Sequence, residues 1–427
     1  MTATAIIALL IFLGAYVMLA LDKVHRTKVV LVGAGLMLLL RITDAEKAFF
    51  HEETSIEWNV IFLLLGMMMI VSVLRRTGVF EYIAILSAKQ SRGKPYRLMV
   101  MLCVLTAVAS ALLDNVTTVL LIAPVTFLVC DRLGLRPVPF LIAEVLASNI
   151  GGAATLVGDP PNIIIANRAD LTFNDFLVHM APWVVVLMVV FCLMCRLLFR
   201  SAFVYDPEKV DKVMALNERE AIKDKALLVK SMAVLGLVVA AFVLHPVLHY
   251  EPSVVALLGA GLLVLITNVS TQDALADVEW PTLVFFAGLF VMVGSLVETG
   301  VISDLSKAIA DATGGDLGAA AMLLLGGSAV LSAIVDNIPY VATMSPVVTE
   351  LVRPHGEAGQ GLWWALAFGA DLGGNATAIG ASANVVMLGL AERAGHRIGF
   401  WEFTKYGLIV TFVTIALTVP YIAMRYL

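Results

Sequence analysis

Long apolar runs separated by short polar ones set the plan of this chain. The apolar runs cover residues 3–21, 28–41, 58–74, 98–130, 138–165, 178–198, 228–248, 252–268, 280–297, 318–351, 362–391 and 404–424. A membrane-spanning helix needs roughly 17–25 predominantly apolar residues, and most of these runs fit one span. Two of them, 98–130 and 318–351, are too long for one, and each carries an Asp-Asn pair near its middle, Asp114-Asn115 and Asp336-Asn337. Read as hairpins, their arms hold about 16 residues, or about 24 Å, short of a hydrocarbon core of about 30 Å. The pattern therefore predicts ten spans and two re-entrant hairpins whose tips lie inside the membrane.

The two halves of the chain align without a gap at an offset of 222 residues. "SALLDNVTTVLLIAP" at 110 matches "SAIVDNIPYVATMSP" at 332, and "SNIGGAATLVGDPPN" at 148 matches "ADLGGNATAIGASAN" at 370. Over 57–162 there are 28 identities in 106 positions, an ungapped register that two merely apolar segments would not keep. Each half holds five spans, and an odd number turns the second half over. The predicted fold is an all-α integral membrane protein of two inverted-topology repeats, each of five transmembrane helices plus one re-entrant hairpin, with broken helices. The expected units are a first repeat over 1–198 (hairpin 98–130, broken helix 138–165), a cytoplasmic linker over 199–227, and a second repeat over 228–427 (hairpin 318–351, broken helix 362–391). Such repeats characterise secondary transporters, whose sites lie near the midplane between them.

Composition agrees with this. The chain is 60% hydrophobic and 14% charged, against roughly 25% charged in a soluble protein. Its mean hydropathy is +0.94. The first run has no basic stretch before it and no small-residue cleavage site after it, so it reads as a retained span rather than a signal peptide. With the N-terminus outside, 22 of the 28 Lys and Arg fall in inner loops, as the positive-inside rule requires. The expected location is the plasma (inner) membrane, multi-pass, with extracytoplasmic termini, and the membrane interior is expected to hold no Lys or Arg. A net charge of −5 gives no sign of a nucleic-acid partner. Cys192 and Cys195 form a CxxC, but no second ligand pair accompanies it, so Cys103, Cys130, Cys192 and Cys195 read as packed helix thiols. In "HPVLH", Pro246 spoils the helical pairing of His245 with His249.

The candidate chemistry sits at the hairpin tips and in the motifs after them. A hairpin tip leaves backbone groups unpaired, which lipid does not tolerate. Asp114, Asn115, Thr117 and Thr118 supply polar groups at the first tip, and Asp336 and Asn337 at the second. Pro339 replaces Thr117, so the two tips are not equivalent. Gly151, Gly152 and Gly158, with Pro160 and Pro161, interrupt the first broken helix; Gly373, Gly374 and Gly380 interrupt the second. Asn149, Thr155, Asp159 and Asn162 stand in the first interruption, and Asp371, Asn375, Thr377, Ser382 and Asn384 in the second. Oxygen-rich sets like these suit Na⁺ or a proton. Capping of the hairpin helices is the plain alternative for Asp114 and Asp336. Glu144 is a third intramembrane acid, without a counterpart in the second half (Leu366); it reads first as a helix-end residue facing water, with proton carrying as the alternative. Asp159 reads as a brace for the turn before Pro160.

These motifs resemble the arsenical pump membrane protein / NhaD-type permease family, in its P-protein-like branch, within the ion transporter superfamily that also holds divalent anion/sodium symporters. The resemblance covers nearly the whole chain. It implies a scaffold domain, a transport domain carrying hairpins and broken helices, and elevator-like alternating access. In the symporter relatives the tips carry Ser-Asn-Thr and bind Na⁺. Here Asn115 and Asn337 match that Asn, which implies Na⁺ at the two tips, while Asp114 and Asp336 stand in place of the Ser. That departure speaks against Na⁺-dicarboxylate symport and fits branches that move arsenite or exchange Na⁺ for H⁺.

The expected function is proton- or sodium-coupled efflux of arsenite or antimonite. A Na⁺/H⁺ antiporter or another inorganic or organic anion carrier of the superfamily is the alternative. The chain is not expected to be an enzyme: no GxxxxGK[ST] occurs, and Asp159 in "TLVGDPP" does not make the GxGD of intramembrane aspartyl proteases. No cofactor is expected beyond the coupling Na⁺ or H⁺. The expected partners are the solute, the bilayer, a second copy of the chain and a separate ATPase subunit.

Overall fold

The computed structural model describes residues 2–427 apart from 22, 52–53, 207–209, 211–213 and 216, so part of the expected 199–227 linker lies outside the described residues. Local chemistry sets the helix boundaries. Proline opens helices at Pro95, Pro137, Pro160 and Pro252, where its missing N–H costs nothing. Asp224 and Asp316 cap others by accepting the backbone N–H of Leu227 and Ala319. Gly134, at a φ of 64°, ends the first hairpin, in the left-handed conformation that glycine adopts without strain.

Nine helices among the described residues are long and apolar enough to cross a membrane. Their outward faces carry apolar side chains such as Leu10, Val189, Val229 and Phe412, the arrangement a bilayer selects. The first hairpin is Pro95–Leu112 and Asn115–Leu133; the second is Leu317–Ile334 and Asn337–Val352. The arms of the first hold 18 and 19 residues and those of the second 18 and 16. The two arms of the first hairpin extend beyond its apolar run through polar ends, Pro95-Tyr96-Arg97 and Asp131-Arg132. Pro124 and Pro346, equivalent positions, lie inside the two second arms.

The broken helices are Pro137–Gly152 with Pro160–Ala169, and Gly361–Gly373 with Ser382–Arg393. Each repeat packs its first hairpin arm tightly along the first half of its own broken helix. The second half of each broken helix crosses to the other repeat. Pro160–Ala169 packs on Asn337–Val352, and Ser382–Arg393 packs on Asn115–Leu133. The two inverted repeats are thus interlocked at their breaks. A separate layer pairs Trp58–Arg75 with Pro252–Ile266 and Arg26–Leu39 with Trp280–Glu298.

Candidate functional site

At the first tip Asp114 caps the helix Asn115–Leu133. Its carboxylate accepts the Thr117 N–H at 2.7 Å and the Thr117 hydroxyl at 2.5 Å. At the second tip Pro339 holds the Thr117 position and supplies neither donor. The Asp336 carboxylate accepts the Ile338 N–H at 3.2 Å, the Ser382 hydroxyl at 2.6 Å and the Arg26 guanidinium at 2.8 Å. Tyr16, from the first helix, donates to the Pro339 carbonyl and lies 2.6 Å from Thr343 Oγ1.

The breaks repeat one another. Thr155 donates to Ala111 O at 2.5 Å, and its equivalent Thr377 to Ala333 O at 2.6 Å. Asn162 donates to Thr155 O, and Asn384 to Thr377 O. These bonds satisfy carbonyls freed where the hairpin arms and helices end. A Cβ on Gly158 would lie 2.4 Å from Gly152 O and 2.7 Å from Ser110 O, so only glycine lets the chain double back there.

Side chains from the two repeats meet at the centre. Asn115 donates to Asn149 Oδ1 at 3.3 Å, and Asn149 donates to both Asn375 and Asn384 at 2.9 Å. Asn337 donates to Asp159 Oδ2 at 3.2 Å. Asp159 and Asp371 are fully buried, and Asp371 is the charged group that acts most strongly on Asp159. The Asn162 side chain lies against Asp371. Asp159 Oδ1, both Asp371 carboxylate oxygens, Asn162 Oδ1 and Thr118 Oγ1 are buried without a hydrogen-bond partner among the described residues.

A cavity of about 300 Å³ adjoins this centre, lined among others by Arg26, Asp114, Pro160, Glu279, Ser382 and Ile338. Val116 and Pro160 on its wall are the repeat equivalents of Ile338 and Ser382, so it lies between the two halves. Helix N-termini at Asn115, Pro160, Asn337 and Ser382 converge on it, and such ends favour anions and polar oxygens. Glu279, one residue before the span Trp280–Glu298, has its carboxyl pushed up to about 7, first by burial and then by the Asp114 charge.

The proposed residues fall into groups. Asn115, Asn149, Asn375 and Asn384 form one amide cluster; Asn337, Asn162 and Asp371 gather about Asp159; Asp114 with Thr117 lies at the cavity wall. Thr155 and Thr377 brace the hairpins, Thr118 is buried beside the first tip, and Gly151, Gly152, Gly373 and Gly374 provide close backbone passage rather than facing the cavity. Three sequence expectations are corrected. Asp159 is not an outer brace: the second hairpin of the other repeat covers it. The polar groups at the hairpin tips do not lack a guanidinium, because Arg26 extends from its helix start to Asp336. Glu144 does not face water: it is buried and accepts the Thr126 hydroxyl at 2.6 Å. Glu279 was missed altogether, although Glu57-Trp58 and Glu279-Trp280 match at the same 222-residue offset.

Over residues 16–369 the sequence matches the family described as citrate transporter, CitMHS. It is 58% identical to the uncharacterized transporter Rv2684 of Mycobacterium tuberculosis over 99% of each chain. It is 33% identical to the human P protein, over 99% of this chain and 60% of that one. The fold is similar to the YdaH transporter of Alcanivorax borkumensis, with a TM-score of 0.66 at 15% identity over 94% of this chain and 99% of that one. It is also similar to Neisseria gonorrhoeae MtrF, of a class of antimetabolite efflux pumps, with a TM-score of 0.61 at 12% identity over 93% and 84% of the two chains.

Proposed function

The chain belongs to the citrate transporter (CitMHS) family and is a multi-pass secondary transporter; from that premise we propose that it couples a proton or Na⁺ to the efflux of a small uncharged oxyacid, arsenite or antimonite first. The observation that carries this reading is the cavity wall. Asp114 and Glu279 are acidic, and the guanidinium present, Arg26, is already engaged by Asp336. A trianion would meet net negative charge there, whereas arsenous acid, mostly uncharged at neutral pH, brings hydroxyls that the carboxylates and converging N–H groups bind in turn. The hairpins and broken helices form the moving unit and the remaining helices the frame, giving elevator-like access in the plasma membrane with extracytoplasmic termini.

Arg26 favours a second reading, a carboxylate solute such as citrate, should the guanidinium leave Asp336 for the substrate. Everted membrane vesicles energised by respiration separate the two. Arsenite uptake above empty vesicles, abolished by Asp114→Asn, supports the first. Citrate uptake lost in Arg26→Ala, with no arsenite uptake, replaces it with the second.

A further inference from the structure

The first hairpin borders a second cavity, of about 540 Å³, which shares no lining residue with the solute cavity. It runs between the arm Pro95–Leu112 and the span Ala181–Leu198, with the break of the first broken helix as its floor. Small residues make that floor: Ala107, Ala111, Gly151 and Ala154. On its walls Val104, Val108, Val185 and Val189 are exposed. The one phenol, Tyr96, already donates to Cys192 O at 3.0 Å. Between two membrane-spanning helices, such a lining opens to hydrocarbon, and water in it would find almost no polar partner. In the second repeat the corresponding helix lies on its break instead. "FNDF" at 173 and "FWEF" at 400 begin corresponding segments, which sets Gly407 against Met180 and Thr411 against Val184. A Cβ on Gly407 would lie 2.2 Å from Asn375 O and 2.8 Å from Ala376 O, and Thr411 donates to Leu372 O at 3.1 Å. Met180 has a side chain where Gly407 has none, and Val184 lacks the hydroxyl. The span Ala181–Leu198 therefore stands off its break and leaves the groove.

One end of the groove carries charge. Tyr96 lines it, and the Arg196 guanidinium lies over the Tyr96 ring, 5.8 Å from its centre. Arg97 follows Tyr96, and both arginines are exposed, with no ion pair among the described residues. Lys94 and Arg200 stand at the same end of the two helices, the basic end that the positive-inside rule assigns to the cytoplasmic leaflet. An apolar trough that ends at an uncompensated guanidinium matches a molecule with a hydrocarbon tail and an anionic head. We propose that this groove holds an acyl chain of an anionic phospholipid from the cytoplasmic leaflet, with Arg196 on its phosphate. The chain fills the space that the second repeat closes with its own helix. Bound there, it ties Ala181–Leu198 to the hairpin arm and supports the first break. The site does not depend on the solute reading above.

The test is native mass spectrometry of the purified, delipidated full chain, offered equal amounts of phosphatidylglycerol and phosphatidylcholine with the same acyl chains. Wild type is expected to retain phosphatidylglycerol about tenfold over phosphatidylcholine, as two basic residues at the head would give. Arg196→Gln is expected to cut that preference about fivefold, the worth of one basic residue beside an anionic head. Val185→Phe, whose ring would enter the groove, is expected to release both lipids. Val104→Phe fills it from the opposite wall and serves should the first variant fail to fold. Arg393→Gln, a basic residue of another inner loop, and Leu10→Phe, an exposed apolar residue on another helix, are expected to retain lipid as wild type. Size-exclusion profiles establish that each variant is folded. Wild type that retains neither lipid, or both equally, overturns the proposal. So does a folded Val185→Phe or Val104→Phe that retains lipid as wild type. An equal loss of preference in Arg393→Gln and Arg196→Gln also overturns it, because diffuse positive charge would then select the head. Displacement of the lipid by glycerol phosphate, which has the head but no tail, would do the same.

Discussion

The two hairpin tips share a backbone motif and differ in what their aspartates hold. Asp114 bonds within its own turn, to Thr117. Asp336 is tied outward, to Ser382 on the second broken helix and to Arg26 on a helix of the separate layer. Two substitutions between the repeats account for the Thr117 and Ser382 bonds, and Arg26 adds a tie that the first tip lacks. Pro339 in place of Thr117 removes an N–H and a hydroxyl, and Ser382 in place of Pro160 adds a hydroxyl. Inverted repeats give the backbone near symmetry, and a few side chains then break it. The first tip keeps an acid on the cavity wall, while the second is clamped by Arg26 and Tyr16.

The breaks offer the largest contrast. Gly158→Ala would press a methyl on backbone oxygens at 2.4 and 2.7 Å, whereas the nearest atoms at the equivalent Gly380 lie at 2.8 and 3.1 Å. Thermal unfolding in detergent is expected to show a loss of about 3 kcal/mol for Gly158→Ala and about 1 kcal/mol for Gly380→Ala. Equal losses would mean that the two breaks carry the same strain.

The tips come next. Asp114→Asn, which keeps the cap, is expected to lower coupled uptake about a hundredfold, roughly 2.7 kcal/mol in barrier terms, with expression unchanged. Normal transport by this variant would reduce Asp114 to a cap. For the clamped tip, a double-mutant cycle on Arg26→Ala and Asp336→Ala is expected to give a coupling of about 2 kcal/mol in unfolding free energy. A coupling near zero would show that the pair does not hold the hairpin to its neighbour.

The smallest effect concerns Glu279. Its carboxyl is pushed up to about 7 in the folded protein, above its unfolded value, so the native state binds more protons than the unfolded state in the interval between them. Stability from this group is present at low pH and is lost as pH rises through about 7. Against Glu279→Gln, wild type is expected to lose on the order of 1 kcal/mol between about pH 6 and pH 7.5, followed by thermal unfolding. Parallel curves for the two proteins would place Glu279 in water.

Much of the architecture is legible in the chain because it is set locally. The Asp-Asn pairs, the paired glycines and the prolines mark where helices must stop, and the 222-residue register shows that it happens twice. Glu144 and Asp159 are less legible. Glu144 is in the middle of a helix, and only the neighbouring arm, through Thr126, removes it from water. Asp159 stands at a helix start that looks like an outer turn until the opposite hairpin packs on it. Arg26 lies next to other basic loop residues, and nothing nearby in sequence announces that it points inward.

The sequence by itself determined the spans, the hairpins, the breaks and the duplication. Lipid accepts only satisfied backbone, and the residues that satisfy or interrupt it act within a turn of where they stand. Only the tertiary structure decided which acid meets which partner. Asn337 reaches Asp159 across 178 residues and Arg26 reaches Asp336 across 310. Such pairings depend on how two interlocked repeats pack, which no local pattern specifies.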